Sequence, residues 1–352
     1  MTQSRWVFSA HSPENIKRAA AILQKGGTVA FPTETVYGLG ANALDPKAVF
    51  KIFEIKKRPT FDPLIVHAAS MREAFLLCSE VPEIARTLAK KFWPGALTLV
   101  LPKKQIIPDL VTSGLSTVAV RVPNHPVALE LIHRARRPLA APSANPFGRT
   151  SPTSAEHVWN DLGEAVDMIL DGGSTSIGVE STVLQIQGDQ GILLRPGGVT
   201  LEELRKIIPV STVTPKELES SEGILSPGLL KSHYAPNTPL YLVKDSFKET
   251  LKWLEGKNNE FKRLGKPWPR IGALCFGQAP KSPLISALVN LSPKKDIRKA
   301  ASELFQAMRK LDKMEVDLIV AFPVPEMGMG AAVMDRLRKA SAGKNNLKPF
   351  FE

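Results

Sequence analysis

Short runs of apolar and β-branched residues alternate with stretches of helical spacing through the first two hundred residues, the order expected of a sheet covered by helices. Strands are predicted over residues 28–32, 64–68, 97–101, 117–122, 168–171, 182–187 and 192–195. Helices are predicted over 14–24 after Ser12-Pro13, over 47–57 after Asp45-Pro46, and over 201–208 after Thr200. Each opens on a residue able to cap free N–H groups, and two carry proline where a helix tolerates it. The segments 180–187 and 191–195 are separated by Gly188-Asp189 and read as a hairpin, so the sheet is expected to be mixed rather than purely parallel.

Between residues 209 and 239 the periodicity gives way to Pro, Ser, Thr, Glu and Gly, the composition of a linker. Beyond it, strand patterns at 240–243, 271–276 and 318–322 alternate with helical patterns at 247–254, 296–313 and 331–340, as in a small open α/β domain with parallel strands. The expected organisation is a domain over 1–208, a linker over 209–239 and a second domain over 240–352. A length of 352 residues, longer than one core usually grows, agrees with two domains.

Composition narrows the setting. Hydrophobic residues make up 43% and charged residues 23% of the chain, enough apolar surface for packed cores, so wholesale disorder is excluded. No stretch of eighteen residues lacks a charge, and the N-terminal residues carry no apolar signal segment, so the chain reads as a cytoplasmic protein without a membrane span. Two cysteines, Cys78 and Cys275, each in an apolar context, can build neither a disulfide framework nor a thiolate metal site. The net charge of +12 suggests polyanionic partners or simply a solvated basic surface. Its distribution is uneven, with 21 basic against 12 acidic residues from Leu240 onward and 25 against 22 before it.

Several segments carry candidate chemistry. Gly38-Leu39-Gly40 and Gly328-Met329-Gly330 resemble fragments of a dinucleotide fingerprint, but the first is detached from its strand by 33–37 and the second has Val333 at the third glycine position. Lys56-Lys57-Arg58-Pro59 ends a helix, where cations either complement the helix dipole or clamp a polyphosphate. Ala141-Pro142-Ser143-Ala144-Asn145 follows a short apolar strand and is either a turn or a ligand-binding strand end. No nucleophile elbow surrounds Ser143. Thr33-Glu34-Thr35, His67 and Arg121 place hydroxyl, carboxylate, imidazole and guanidinium groups at strand ends, each individually compatible with a structural role. No carboxylate cluster has metal-ligand spacing, so any Mg²⁺ is expected to arrive on substrate phosphates.

Taken in order, these segments closely resemble the long form of the threonylcarbamoyl-adenylate synthases, a YrdC-like domain followed by a smaller domain. The resemblance rests on residues 31–39, 56–67, 93–98, 119–123, 141–145, 181–183 and 195–197, then on Ser226-Pro227-Gly228, His233-Tyr234-Ala235-Pro236, Gly330-Ala331-Ala332 and Arg336-Leu337. It implies an α/β (α+β) fold, a twisted mixed sheet with flanking helices and a small Rossmann-like C-terminal domain. It also implies a nucleotidyltransferase that converts L-threonine, bicarbonate and ATP, with Mg²⁺, into threonylcarbamoyl-AMP and pyrophosphate. A downstream tRNA threonylcarbamoyl transferase then uses the product on the adenosine next to the anticodon.

By that resemblance Lys56, Arg58, Ser143 and Asn145 form the catalytic, phosphate-binding set. Asp62, Thr117, Ser151, Arg195 and Tyr234 would also contact ATP. Thr35, His67, Arg121, Ala141 and Ser181 would hold threonine. Asp62 departs from the asparagine common in the family and would repel phosphates, so it is expected to face ribose or base or to make no contact. The linker would fold across the active site and carry Tyr234 to the nucleotide. The basic C-terminal half leaves a contact with tRNA open. The competing reading is an RNA-binding module without adenylyl transfer. Carbamoyl transfer of the hydrogenase-maturation kind is disfavoured because the cysteine-rich zinc segments are missing.

Overall fold

The structure, a computed structural model, describes residues 6–212 and 233–351. These divide into a first unit, 6–147 with 151–212, and a second unit, 148–150 with 233–351. Most of the expected linker, 213–232, lies outside the described residues, as does the expected crossing of the active site by that segment. Its first residues belong to the fold instead: Val210–Thr212 is a strand paired in parallel with Gln190–Arg195.

The first unit is built on strands β1 Val7–Ser9, β2 Val29–Phe31, β3 Gly38–Asn42, β4 Ile65–His67, β5 Leu97–Pro102, β6 Thr117–Arg121, β7 Leu139–Ala140, β8 Met168–Asp171, β9 Thr182–Gln187, β10 Gln190–Arg195 and β11 Val210–Thr212. They hydrogen-bond in the order β1-β8-β2-β3-β7-β4-β6-β5-β9-β10-β11. The sheet is mixed, as the hairpin β9–β10 required: β4 runs parallel to β6, while β7 and β5 run antiparallel to them. The main helices are α1 Pro13–Gln24, α2 Pro46–Lys56, α3 Met71–Leu76, α4 Glu83–Phe92, α5 Asp109–Thr112, α6 Pro126–Ala135, α7 Ala155–Leu162 and α8 Leu201–Arg205. Asp45 caps α2 through Lys47 N–H, and Thr200 with Glu203 closes a capping box on α8. Ser12 makes no side-chain cap on α1, contrary to expectation, and proline at the first helical position does the work of starting that helix.

Side chains alternate across each strand, and the two faces differ. Val66, Leu99, Val120 and Leu184 join the large core. Ile65, Val100, Ala119, Val183 and Leu194 form a small apolar cluster of their own. By the same alternation Thr117 and Arg121 share the face of Ala119, His67 that of Ile65, and Thr98 that of Val100. The small cluster is therefore the floor between polar groups at the two ends of β4 and β6.

The glycine pair of β3 has a packing explanation: a Cβ on Gly40 would lie 2.7 Å from Phe31 Cε1, so the strand needs glycine to sit against that ring. In the second unit a Cβ on Gly330 would meet the carbonyl of Pro325, which ties the start of its helix to the preceding loop. Neither pattern forms a dinucleotide turn.

The second unit is an open parallel sheet of β12 Leu240–Leu242, β13 Ile271–Cys275, β14 Ala287–Asn290 and β15 Leu318–Ala321, in the order β12-β15-β13-β14. Helices α9 Phe247–Arg263, α10 Ile297–Asp312, α11 Gly330–Ser341 and α12 Lys348–Phe351 flank it. Helix α9 is longer than expected because Trp253, Leu254 and Phe261 continue its apolar stripe into the core.

Gly197 tests the close backbone approach at the end of β10. A Cβ there would fall on the main chain of Glu180, Ser181 and Thr182, none of which can rotate away. Gly197→Ala is expected to lower stability by about 3 kcal/mol, read as a fall in the urea midpoint at unchanged slope.

Candidate functional site

Strand register sorts the candidate residues into two groups. His67 pairs with Arg121 across β4 and β6, at the carboxyl ends of both strands. The other ends of these strands lie beside Asp62, Pro63 and Thr117. Four residues separate Thr117 from Arg121, about 13 Å of strand. Because β7 runs antiparallel to β4, the chain leaving it carries Ala141 past Ile65, whose carbonyl accepts Ala141 N–H at 2.9 Å, and then Ser143 and Asn145 on toward the Asp62 end.

At that end Lys56, the last residue of α2, is buried rather than splayed into solvent. Its ammonium donates to the carbonyls of Ser143, at 2.6 Å, and Asn145. Burial lowers its pKa, with the neighbouring Arg58 guanidinium acting in the same direction. Lys57 takes the left-handed conformation that ends the helix and points its charge outward. Arg58 turns in: Nε donates to the Asp62 carbonyl at 3.0 Å, Nη2 donates to the Pro63 carbonyl at 2.9 Å and lies 2.9 Å from Asp62 Oδ1. Asp62 is fully buried, and burial raises its pKa against the pull of Arg58, Lys56 and Arg195. The departure from asparagine is thus matched by a guanidinium partner.

At the opposite end Arg121 is held on three sides. Nε donates to the Gly95 carbonyl at 3.0 Å, Nη1 to Thr35 Oγ1 at 3.0 Å, and Nη2 lies 2.6 Å from Glu34 Oε1. Thr35 Oγ1 is in turn 2.8 Å from Thr33 Oγ1. His67 is buried, and its Nδ1 has no hydrogen-bond partner among the described residues. Burial, with the Arg121 charge beside it, pushes its pKa down to about 3, so the ring is neutral.

Arg195 and Ser181 link the two ends. Arg195 donates from Nε and Nη2 to the Ser181 carbonyl at 3.2 and 3.0 Å, while Ser181 Oγ lies 2.8 Å from Thr98 Oγ1. Ser151 donates its hydroxyl to Glu180. Gly95, Thr98 and Glu180 were not among the candidate residues, and Glu34 was named only as part of Thr33-Glu34-Thr35, without a site role of its own. Tyr234 lies in the second unit. Its ring is 5.7 Å from Phe305, and the Arg336 guanidinium sits 5.0 Å from its centre. The other candidates all lie in the first unit.

Cations buried near both ends of β4 and β6 suit a site for anionic small molecules. Residues 21–197 match the family described as "Telomere recombination", and residues 199–342 match the "Threonylcarbamoyl-AMP synthase, C-terminal domain". The threonylcarbamoyl-AMP synthase of Pyrococcus abyssi is 45% identical over 93% of this chain and 94% of its own, and that of Bacillus subtilis 43% identical over 98% and 99%. The crystal structure of P. abyssi Sua5 complexed with L-threonine superposes with a TM-score of 0.83 at 44% identity, covering 94% of this chain and 95% of that one. The chain belongs to the threonylcarbamoyl-AMP synthase family.

His67 gives a pH test of the site's burial. The folded protein refuses the proton that the unfolded chain takes up below about pH 6.5, so stability falls as pH drops from there toward 3. Between about pH 7.5 and 5 this loss amounts to roughly 2 kcal/mol. His67→Gln is expected to remove that component, measured as a flatter dependence of unfolding free energy on pH than in the parent.

Proposed function

We propose that the chain joins L-threonine, bicarbonate and ATP into threonylcarbamoyl-AMP and pyrophosphate. The observation that supports this reading is the presence of buried cations near both ends of β4 and β6, Lys56 and Arg58 at one and Arg121 with Thr35 at the other. Arg121 suits the threonine carboxylate, the neighbouring hydroxyls and His67 its polar atoms, and Ala141 leaves room beside Ile65. Lys56, Arg58, Ser143 and Asn145 suit the triphosphate, with Asp62, Thr117, Ser151 and Arg195 around the nucleotide and Tyr234 as a further contact. L-threonine is also the ligand named for the P. abyssi structure.

The threonine nitrogen bonds to the carbon of bicarbonate with loss of water, giving a carbamate. A carbamate oxygen then bonds to the α-phosphorus while the bond to the bridging oxygen breaks, and pyrophosphate leaves with that electron pair. No step needs a protein nucleophile. Holding the two reactants in line supplies on the order of 7–11 kcal/mol of barrier lowering. The cations add stabilisation of the charge that develops on the phosphates in a site shielded from water. A neutral His67 neither adds charge beside Arg121 nor competes for the substrate's ammonium proton.

Mg²⁺ would enter on the ATP phosphates, where it neutralises charge. The nearby carboxylates suit no resident ion, since Asp62 faces Arg58 and Glu180 takes the Ser151 hydroxyl. Among the described residues no group of three or more His, Cys, Asp or Glu could hold a metal. The product would pass, in the cytoplasm, to a tRNA threonylcarbamoyl transferase. Among the described residues no helix is long and apolar enough to cross a membrane.

Pyrophosphate release with ATP, Mg²⁺ and bicarbonate, assayed with each standard amino acid in turn, should be strongest with threonine and vanish without bicarbonate. Release indifferent to amino acid would overturn the reading and favour RNA binding. Arg58→Ala alone leaves the Asp62 carboxylate buried without its guanidinium, a change worth about 3–5 kcal/mol of stability. The double change Arg58→Ala with Asp62→Asn removes both charges and should keep the fold while cutting turnover at least about a hundredfold.

A further inference from the structure

The sheet of the second unit has a crevice at its carboxyl edge. From β13 the chain moves outward to the edge strand β14, whereas from β15 it moves through α11, which lies against β12 on the other side. Connections that leave two adjacent parallel strands in opposite directions open a gap at their carboxyl ends, where open α/β sheets place ligands. A cavity of about 790 Å³ occupies this position, between Cys275 and Phe276 after β13 and Phe322 and Pro323 after β15. The volume is that of a site for a small organic molecule.

Its lining has two chemistries. Lys244, Lys294 and Lys295 bring three ammonium groups against one carboxylate, Asp245. All three lysines are exposed, and none is in an ion pair with another of the described residues. Phe247 and Phe276 are partly exposed beside them, and Phe247 packs at 4.9 Å on Phe322. Lys295 is specifically seated. It adopts φ +60, and its side chain lies where a Cβ on Gly277 would come within 2.9 Å of Cε. Gly277 is itself fixed by its N–H donating to the Ser292 carbonyl at 2.9 Å and its carbonyl accepting from Asn290 Nδ2 at 2.6 Å. A non-glycine residue in the left-handed region, laid across a glycine locked by both its polar groups, is local strain of the kind retained at ligand sites.

We infer that this crevice is a second ligand site, separate from the synthase site, for a small molecule that carries a phosphoryl group and a planar ring. The lysines meet the phosphoryl group and the phenylalanine rings stack on the planar part. AMP and inorganic phosphate serve as probes on the full-length chain, read by lysine acetylation and mass spectrometry, which reports each lysine separately from the first unit. AMP is expected to slow labelling of Lys294 and Lys295 at least about tenfold while leaving Lys248 and Lys262, on α9, unchanged, and to act at lower concentration than phosphate. Phe276→Ala should erase the advantage of AMP over phosphate, and Gly277→Ala should weaken protection at Lys295 most. Unprotected lysines at about 1 mM AMP, or equal protection by AMP and phosphate, would overturn the proposal.

Discussion

Burying a cation is costly unless its protons find acceptors, and this constraint organises the first unit. Lys56, Arg58, Arg121 and Arg195 are all buried there, and every one of them donates to main-chain carbonyls in the loops at strand ends: Ser143 and Asn145, Asp62 and Pro63, Gly95, and Ser181. The carbonyls are available because the chain has just left, or is about to enter, a strand and has no ladder partner for them. The same bonds therefore do two things. They satisfy the cations, and they tie the turn at 141–145, the segment 58–63, Gly95 and Ser181 into one rigid surround. Arg58 and Arg121 each face a carboxylate as well, Asp62 and Glu34, so carbonyl dipoles and one anion apiece share the task of satisfying them.

Strand alternation decides what lies between those cations. One face of β4, β5, β6 and β9 is committed to the core by Val66, Leu99, Val120 and Leu184. The opposite face carries Ile65, Val100, Ala119 and Val183, with Gln185 beside Val100 and the charged groups toward the strand ends. An apolar floor with charge at each end suits two substrates that must meet in the middle. In the proposed reaction the amino acid would be held by its carboxylate at Arg121 and the nucleotide by its phosphates at Lys56 and Arg58, with the new bond forming between them.

The sequence was informative where one residue type carries the structural reason. The strands 168–171 and 182–187 fall where β-branched and apolar residues predict them, and Thr200 with Glu203 marks a helix start by its own chemistry. It was less informative where the reason is a distant partner. Strand β3 is glycine-rich and reads as a loop until Phe31 is seen against Gly40. Helix α6 is missing from the predicted elements although His125-Pro126 and the apolar positions Val127, Ala128, Leu131, Ile132 and Ala135 mark it; what the sequence does not show is that it packs on α1, more than a hundred residues away. In the site, Arg58 and Arg121 were legible as strand-end or helix-end cations, whereas Glu180 becomes visible only through the Ser151 hydroxyl that it accepts. The strand Val210–Thr212 was hidden by its polar composition, because an edge strand paired on one side needs few apolar residues.

Asp62 was expected to face ribose or base or to make no contact, and the structure adds a setting that its sequence position did not show. A carboxylate beside a triphosphate repels it. With Arg58 on Asp62 Oδ1 and its own carbonyl also held by Arg58, the local balance is different. Lys56, Arg58 and Arg195 all act on Asp62, while Asp161 and Glu180 act on Lys56 as well, so Asp62 is one of several carboxylates around these cations. Burial also raises the Asp62 pKa, which limits how strongly it holds Arg58 against an arriving anion. The carboxylate's effect is then on placement more than on charge. It turns the Arg58 fork inward beside Lys56 instead of letting it extend from the helix end, so that both cations lie next to the 143–145 turn.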